Sequence, residues 1–288
     1  MKEGVTIFNE KAEALFTQEP VFELLAEGFS FAEGPVWDME NDCLYFTDFP
    51  EDKIYRWHKE QGLELYRDQA NRPIGLALDQ NGNIISTESS QHRIAQIDKC
   101  NSISLATEYQ GQRFNSPNDV IVAKDGAIWF TDPYSQALGL ASELQMNGVY
   151  RMGSDGEVGL VWGGFNRPNG LALSLDEGIL YVNDTDLQQI FALKIESGQV
   201  VGEPRVLATL DTSFGEGAPD GMKIDEKGNI WVTGPGGIWV LSSAGEALGL
   251  LRSPKYVGNF CFGEKERNVL YITASNDLYR VLVDVSGI

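Results

Sequence analysis

Histidine is nearly absent from this chain, which has only His58 and His92 among 288 residues. Both sit between charged and polar neighbours, in RWHKE and SSQHRIA, and read as surface side chains. Two histidines cannot build a multi-histidine zinc centre and leave little room for Ser-His-Asp catalysis. Cysteine is scarce too. Cys43, Cys100 and Cys261 lie far apart with no C-x-x-C, and Cys43 and Cys261 fall inside apolar strand-like runs. They read as buried reduced thiols, not as a thiolate metal site. No stretch approaches the ~20 apolar residues of a membrane helix. Met1 to Pro20 carries Glu3, Glu10, Glu13 and Glu19 and lacks the basic start and apolar block of a secretory signal, so a cytoplasmic location is expected. Basic residues are outnumbered, 22 Lys and Arg against 42 Asp and Glu, for a net charge of −20. A phosphate backbone and an anionic membrane would both repel such a chain, which argues against nucleic acid and lipid surfaces as partners.

What the chain does have is a repeat. A Pro/Gly/Asn turn leads into an alternating apolar run, a second turn, and a strand that ends in Thr-Asp or a relative of it. The copies are EGPVWDMENDCLYFTDFPEDKIYRW, PIGLALDQNGNIISTESSQHRIAQI, PNDVIVAKDGAIWFTDPYS resuming at GVYRM, PNGLALSLDEGILYVNDTDLQQIFAL, PDGMKIDEKGNIWVTGPGGIWVL and NFCFGEKERNVLYITASNDLYRVL. Period-two alternation in GLALD and IWVTG marks strands, and DQNGN, AKDGA and DEKGN mark short hairpin turns. Six copies of about 40–45 residues with roughly four strands each describe a six-bladed β-propeller in the all-β class. A Greek-key β-sandwich is the alternative, and the regularity of the repeat argues against it. The expected organisation is one propeller domain over residues 1–288, with residues 1–20 as an extension. Residues 21–30 supply the strand missing from the last copy, which closes the ring and removes its free edge. Trp37, Trp129, Trp231 and Trp239 fall within strands and read as blade packing.

Aligning the copies at the start of the innermost strand gives the column Glu33, Ile74, Asn118, Asn169, Asp220 and Asn259, at spacings of 41, 44, 51, 51 and 39 by subtraction of neighbouring positions. Equivalent positions of successive blades ring the propeller axis. Five of these six side chains carry oxygen and two are carboxylates, a donor set that suits a hard divalent cation such as calcium. Pro-Asn-Gly and Pro-Asp-Gly are also strong turn formers on backbone grounds alone. Glu33 discriminates between the two readings, because glutamate is a poor turn former. Asp48, Glu88, Asp132 and Asp184 end the second strands and form a second polar column, read one by one as strand-end turns.

With EGPVW, RFNSPNDVIV, IWFTDPY, GVYR, RPNGLALSLDE, APDGMKID, GNIWVTGPGGIWV and LYITAS, the chain resembles the gluconolactonase branch of the SMP-30 (regucalcin) and gluconolactonase family over residues 20–288. The resemblance implies a six-bladed propeller with one catalytic divalent ion, calcium first, with magnesium, manganese or zinc as alternatives. It implies Glu33, Asn169 and Asp220 as metal ligands and Asn118 as an asparagine facing both metal and substrate. Arg113, Glu88 and Tyr134 are the further substrate contacts expected, with Asp119 beside them. Two positions depart from the pattern. Ile74 is apolar in the column, and Ser89 stands in TESSQHR where the bacterial branch commonly shows Glu-His, leaving His92 as a substitute.

The implied reaction is hydrolysis of a sugar-type lactone such as gluconolactone. Asp220 is the expected proton acceptor and Asp119 the second choice. Another metal-dependent esterase or phosphotriesterase-like hydrolase, or a calcium-binding propeller without catalysis, uses the same donors. The insertion PYSQALGLASELQMN, with Tyr134 and Met146 as candidate walls, lies by strand order on the same face.

Overall fold

The computed structural model describes residues 4–134 and 142–288. Six antiparallel blades stand in chain order around an axis. Their innermost strands are Ala32–Asp38, Pro73–Leu78, Val120–Val122, Pro168–Leu173, Met222–Ile224 and Val257–Gly263. The second strands are Cys43–Asp48, Ile84–Glu88, Ile128–Asp132, Ile179–Asp184, Ile230–Gly234 and Val269–Ala274. No helix among the described residues is long and apolar enough to cross a membrane.

Each second strand is apolar on both faces because each blade is covered on both sides. In blade one, Tyr45 packs toward blade two, while Leu44 and Phe46 pack toward blade six. The core is accordingly split into six apolar clusters, one at each boundary between adjacent blades. Trp37 stacks on Tyr271 at 4.8 Å between centroids across the blade one to blade six boundary. Trp129, Trp231 and Trp239 are buried in other boundaries, as the strand reading expects. Each large side chain so buried stabilises by roughly 1.5–3 kcal/mol.

The ring closes as expected. Glu23–Glu27 pairs antiparallel with Asp277–Leu282 as the outermost strand of blade six, in register Glu23 with Arg280 and Glu27 with Asp277. The preceding segment is more than an extension. Val5–Ile7 pairs with Ala247–Arg252 as a fifth strand of blade five. Ala12, Leu15 and Phe16 then enter the core between blades five and six. The same N-terminal chain therefore staples blade five to blade six, the blade it closes.

Threonine does a second stapling job near the axis. Thr47, Thr87, Thr131, Asn183, Thr233 and Thr273, each one or two residues from the end of a second strand, are fully buried. Thr47 Oγ1 donates to the Ile74 carbonyl, Thr87 Oγ1 to Asn118 and Asn183 Nδ2 to Asp220, at 3.0, 3.0 and 2.6 Å. Each of these bonds holds the column residue of the next blade from behind.

Candidate metal and substrate site

The column residues form a ring at one mouth of the channel, each against its neighbour. The Gly75 N–H donates to the Asn118 carbonyl at 2.8 Å, and the Gly221 N–H to the Gly258 carbonyl at 2.9 Å. These approaches need glycine. A side chain at Gly170 would strike the Asp220 carbonyl, and one at Gly75 would lie 2.7 Å from the Asn118 carbonyl. Blades three and six break the rule, with Asp119 and Phe260 where blades one, two, four and five have Gly34, Gly75, Gly170 and Gly221. Asp119 has room because its Oδ1 lies against the bare Cα side of Gly75.

Three carboxylates thus converge. Glu33 is buried and its Oε2 accepts the Gly34 N–H at 2.9 Å. Burial pushes the Glu33 carboxyl up to about 7 against that N–H, the Asp119 charge adds to the rise, and Asn259 and Lys223 oppose it. Asp220 is held at its N–H by Thr233 Oγ1 at 2.8 Å. Its carboxyl stands well above the ordinary range, from burial first and then from the charges of Glu33 and Asp119. Asp119 Oδ1 accepts the Val120 N–H at 2.9 Å, and burial raises its carboxyl while Lys223 pulls it back. Two buried acceptors in this ring, Asn169 Oδ1 and Asp119 Oδ2, have no hydrogen-bond partner. Asn169 Nδ2 donates to Thr185 Oγ1 at 3.3 Å, which turns the orphan oxygen of the same amide. The Asn118 side chain is half-buried, while Ile74 and Asn259 are buried. Among the described residues no three His, Cys, Asp or Glu side chains gather closely enough to hold a metal ion by themselves, so any cation here depends on the asparagine amides.

The second polar column is structural. Asp48 accepts the Ser30 and Phe31 N–H groups, both at 3.0 Å, Asp132 those of Asn115 and Ser116, and Asp184 those of Asn166 and Arg167. Each carboxylate clamps the chain entering its own innermost strand, which agrees with the strand-end reading. Glu88 belongs with them and is not placed to meet a substrate. It is 0% exposed, and its oxygens accept from Arg93 Nε at 2.6 Å, Ser102 Oγ at 2.6 Å and Asn71 Nδ2 at 3.0 Å. His92 is likewise no surface side chain. It is 7% exposed, and its Nδ1 lies 2.9 Å and 2.6 Å from the Phe114 and Asn115 carbonyls, so it braces the loop that leads to Asn118. His58 only accepts the Glu60 N–H, at 3.1 Å.

Arg113 is exposed and its Nε is paired with Glu143 at 2.5 Å, which ties the short Gln112–Arg113 strand to the insertion. Tyr134 is 43% exposed, and its N–H donates to Asn147 Oδ1 at 2.6 Å. Met146 is exposed at its side chain and accepts from Asn115 Nδ2 at 2.8 Å through its carbonyl. Residues 135–141 of the insertion lie outside the described residues. Cys43 and Cys261 are buried free thiols, and Cys100 is exposed.

Sequence reasoning missed Lys223 and the threonine column. The lysine left a signal, because it is a cation in an innermost strand whose counterparts in PIGLAL and PNGLAL are apolar.

The comparisons with known proteins follow the same architecture. The chain is 32% identical to a gluconolactonase of Zymomonas mobilis, over 98% of this chain and 87% of the relative. It is 26% identical to a pentonolactonase of Haloferax volcanii, over 84% and 81%. The solved structure of a gluconolactonase from Xanthomonas campestris superposes with a TM-score of 0.88 at 28% identity, covering 98% of this chain and 95% of the other. Residues 31–276 match the family described as the SMP-30/Gluconolactonase/LRE-like region, and the chain belongs to that family.

Proposed function

We propose that this protein is a lactonase that opens a sugar-type lactone at a divalent cation held by the axial ring. The observation that carries the reading is the Asn169 Oδ1 atom, buried without a partner beside a carboxylate raised by burial and by its neighbours' charge. An unpaired buried acceptor is costly. Carboxylates crowded against one another are costly too, and a cation relieves both. The names of the relatives, gluconolactonase and pentonolactonase, point to the same class of substrate.

The donor set fits a hard cation. Glu33, Asn169 and Asp220 would hold it, with Asn118 as the fourth oxygen, and calcium is the first choice for carboxylate and amide donors. The bound ion would supply Lewis-acid polarisation of the ester carbonyl and a more acidic water. In hydrolysis, water adds to the carbonyl carbon, the ring C–O bond breaks, and the product is a hydroxy acid. Asp220 takes the proton from the attacking water and returns it to the leaving ring oxygen; it is the ring carboxylate whose backbone is fixed at both ends, at its N–H by Thr233 and at its carbonyl by Asn183. Asp119, whose Oδ2 has no partner, is the second acceptor. Asn118 orients the sugar hydroxyls through its amide. Arg113 and Tyr134, exposed beside the insertion, bound the substrate from outside.

The test is a panel of aldonolactones, simple esters and phosphotriesters, read by acid release at fixed pH with chelated and calcium-loaded protein. Calcium-dependent release from lactones is expected. Full turnover in protein shown by elemental analysis to be metal-free overturns the metal reading. Preference for a phosphotriester overturns the substrate reading.

A further inference from the structure

The chain enters each innermost strand from the mouth, so the residues just before the column stand outside the ring of carboxylates. Two residues before the column the six blades carry Phe31, Arg72, Ser116, Arg167, Ala218 and Val257. Only blade one is aromatic there, and blade six supplies Tyr256 one residue further out. The mouth is therefore two-sided. Arg167 of blade four, opposite blade one, is exposed and paired with Asp186 at 2.8 Å.

Phe31 and Tyr256 lie side by side, with ring centroids 6.1 Å apart at 51°. Phe49 meets Phe31 edge-on at 6.4 Å. All three rings are half-buried. Gly258 shows how near they come to the carboxylates. A side chain there would lie 2.2 Å from Glu33 Oε1 and 3.3 Å from Phe31 Cε1, so carboxylate and ring edge share the bare face of one glycine. A single turn holds the backbone of both aromatics. The Ser275 carbonyl accepts the Ala32 N–H at 2.8 Å, and Ser275 Oγ donates to the Tyr256 carbonyl at 3.2 Å. The Tyr256 hydroxyl has no hydrogen-bond partner among the described residues. Aromatic surface left half open beside buried carboxylates suits a ligand with an apolar face. A sugar-type lactone has one, since C–H bonds cover its ring faces and hydroxyls lie around its edge. The electron-rich face of an aromatic ring attracts such C–H bonds.

We propose that Phe31 and Tyr256 form a stacking wall for the C–H face of the lactone ring and are specificity-determining residues of this mouth. The wall rests on the lactonase reading of the site. It leaves the hydroxyl edge to the polar side of the mouth, where Asn118 and Arg167 stand.

Calcium-loaded, full-length protein is assayed with gluconolactone. Binding of the matching lactam, which keeps the ring and resists hydrolysis, is measured by calorimetry. Phe31→Ala is expected to raise KM on the order of tenfold, the size of one lost aromatic contact, while kcat falls far less. Lactam affinity should drop by the same factor, and calcium affinity should stay. Tyr256→Ala should act in the same way. Phe31→Tyr keeps the ring and should restore KM. Phe31→Leu keeps apolar bulk without the ring, so it decides the matter if Phe31→Ala does not fold, and a raised KM is again expected. Wild-type KM and lactam affinity in Phe31→Leu and Tyr256→Ala overturn the wall and leave the lactonase reading standing. A fall in kcat or calcium affinity with KM unmoved overturns it as well. If the wild type hydrolyses no lactone, the lactonase reading fails. Lactam binding that weakens in Phe31→Leu then still upholds the wall, and equal or absent binding overturns it.

Discussion

Asn183 Nδ2 donates a 2.6 Å hydrogen bond to the backbone carbonyl of Asp220, across the boundary between blades four and five. Thr185 Oγ1 donates to the preceding carbonyl, at Pro219, over 2.7 Å. The backbone of the proposed base is thus held by a neighbouring blade, and its own Thr233 holds its N–H. Asn183→Ala leaves a buried carbonyl without this donor and is expected to lower stability by about 1–3 kcal/mol. It should also lower turnover while leaving the Asp220 carboxyl in place. Denaturant unfolding and steady-state lactone hydrolysis check both. Unchanged turnover at reduced stability would show that the strap is not needed to aim Asp220.

Side-chain substitutions in the ring separate ligands from turn formers. Asp220→Ala is expected to remove lactone hydrolysis by several orders of magnitude and keep a folded propeller by circular dichroism. Glu33→Gln removes one negative charge and should weaken calcium binding. His58→Ala should leave the rate nearly unchanged. His92→Ala should keep the metal site but lower stability by roughly 1 kcal/mol, since it removes a buried hydrogen bond to the loop before Asn118. Wild-type turnover in Asp220→Ala together with a dead histidine variant would require a histidine mechanism instead.

Glu88→Ala tests whether the second column touches substrate. The substitution breaks a buried pair with Arg93 and is expected to destabilise by about 3 kcal/mol. KM for a lactone should not move in the protein that remains folded. A rise in KM without a loss of stability would put Glu88 at the substrate after all.

Proton linkage gives a signed pH effect. In the metal-free fold Glu33 keeps its proton up to about pH 7, whereas the ordinary carboxyl releases it near 4.5. Between those values the folded state binds more protons than the unfolded state, so the contribution of this group to stability falls as pH rises. Bound calcium needs the carboxylate and removes that slope. Melting temperature in chelator is expected to drop between about pH 5 and 7, and to drop less in excess calcium. Glu33→Gln should lose part of the difference, the rest belonging to Asp220, whose carboxyl is raised too. Identical slopes with and without calcium would argue against Glu33 as the linked group.

Deletion of residues 1–30 removes the outer strand of blade six and is expected to yield insoluble protein. Deletion of residues 1–15 spares that strand but takes Leu15 and Ala12 out of the core between blades five and six, so a loss of several degrees in melting temperature is expected. Normal melting of the shorter deletion would show that this N-terminal packing contributes little.

The sequence by itself determined the repeat. Period-two alternation and recurrent Asn-Gly and Asp-Gly turns dictate hairpins, and six apolar-on-both-faces strands have nowhere to bury except against one another in a ring. It also carried the column Glu33, Asn118, Asn169 and Asp220, because blade repetition converts a register in the chain into a ring about an axis. What it left undecided was which polar groups are already occupied. Glu88 and Asp119 read alike as acidic residues near strand starts and ends. Only the tertiary structure gives Glu88 three partners and leaves Asp119 Oδ2 with none. His92 reads as a surface residue because its neighbours in sequence are polar, yet its partners come from blade three. Lys223 lies in an ordinary-looking MKID, and only the ring of blades brings it half-buried into the channel, 3.4 Å from Asn259 of blade six. Local pattern fixes the direction in which a side chain leaves the backbone, whereas burial and hydrogen-bond satisfaction depend on chain segments tens of residues away.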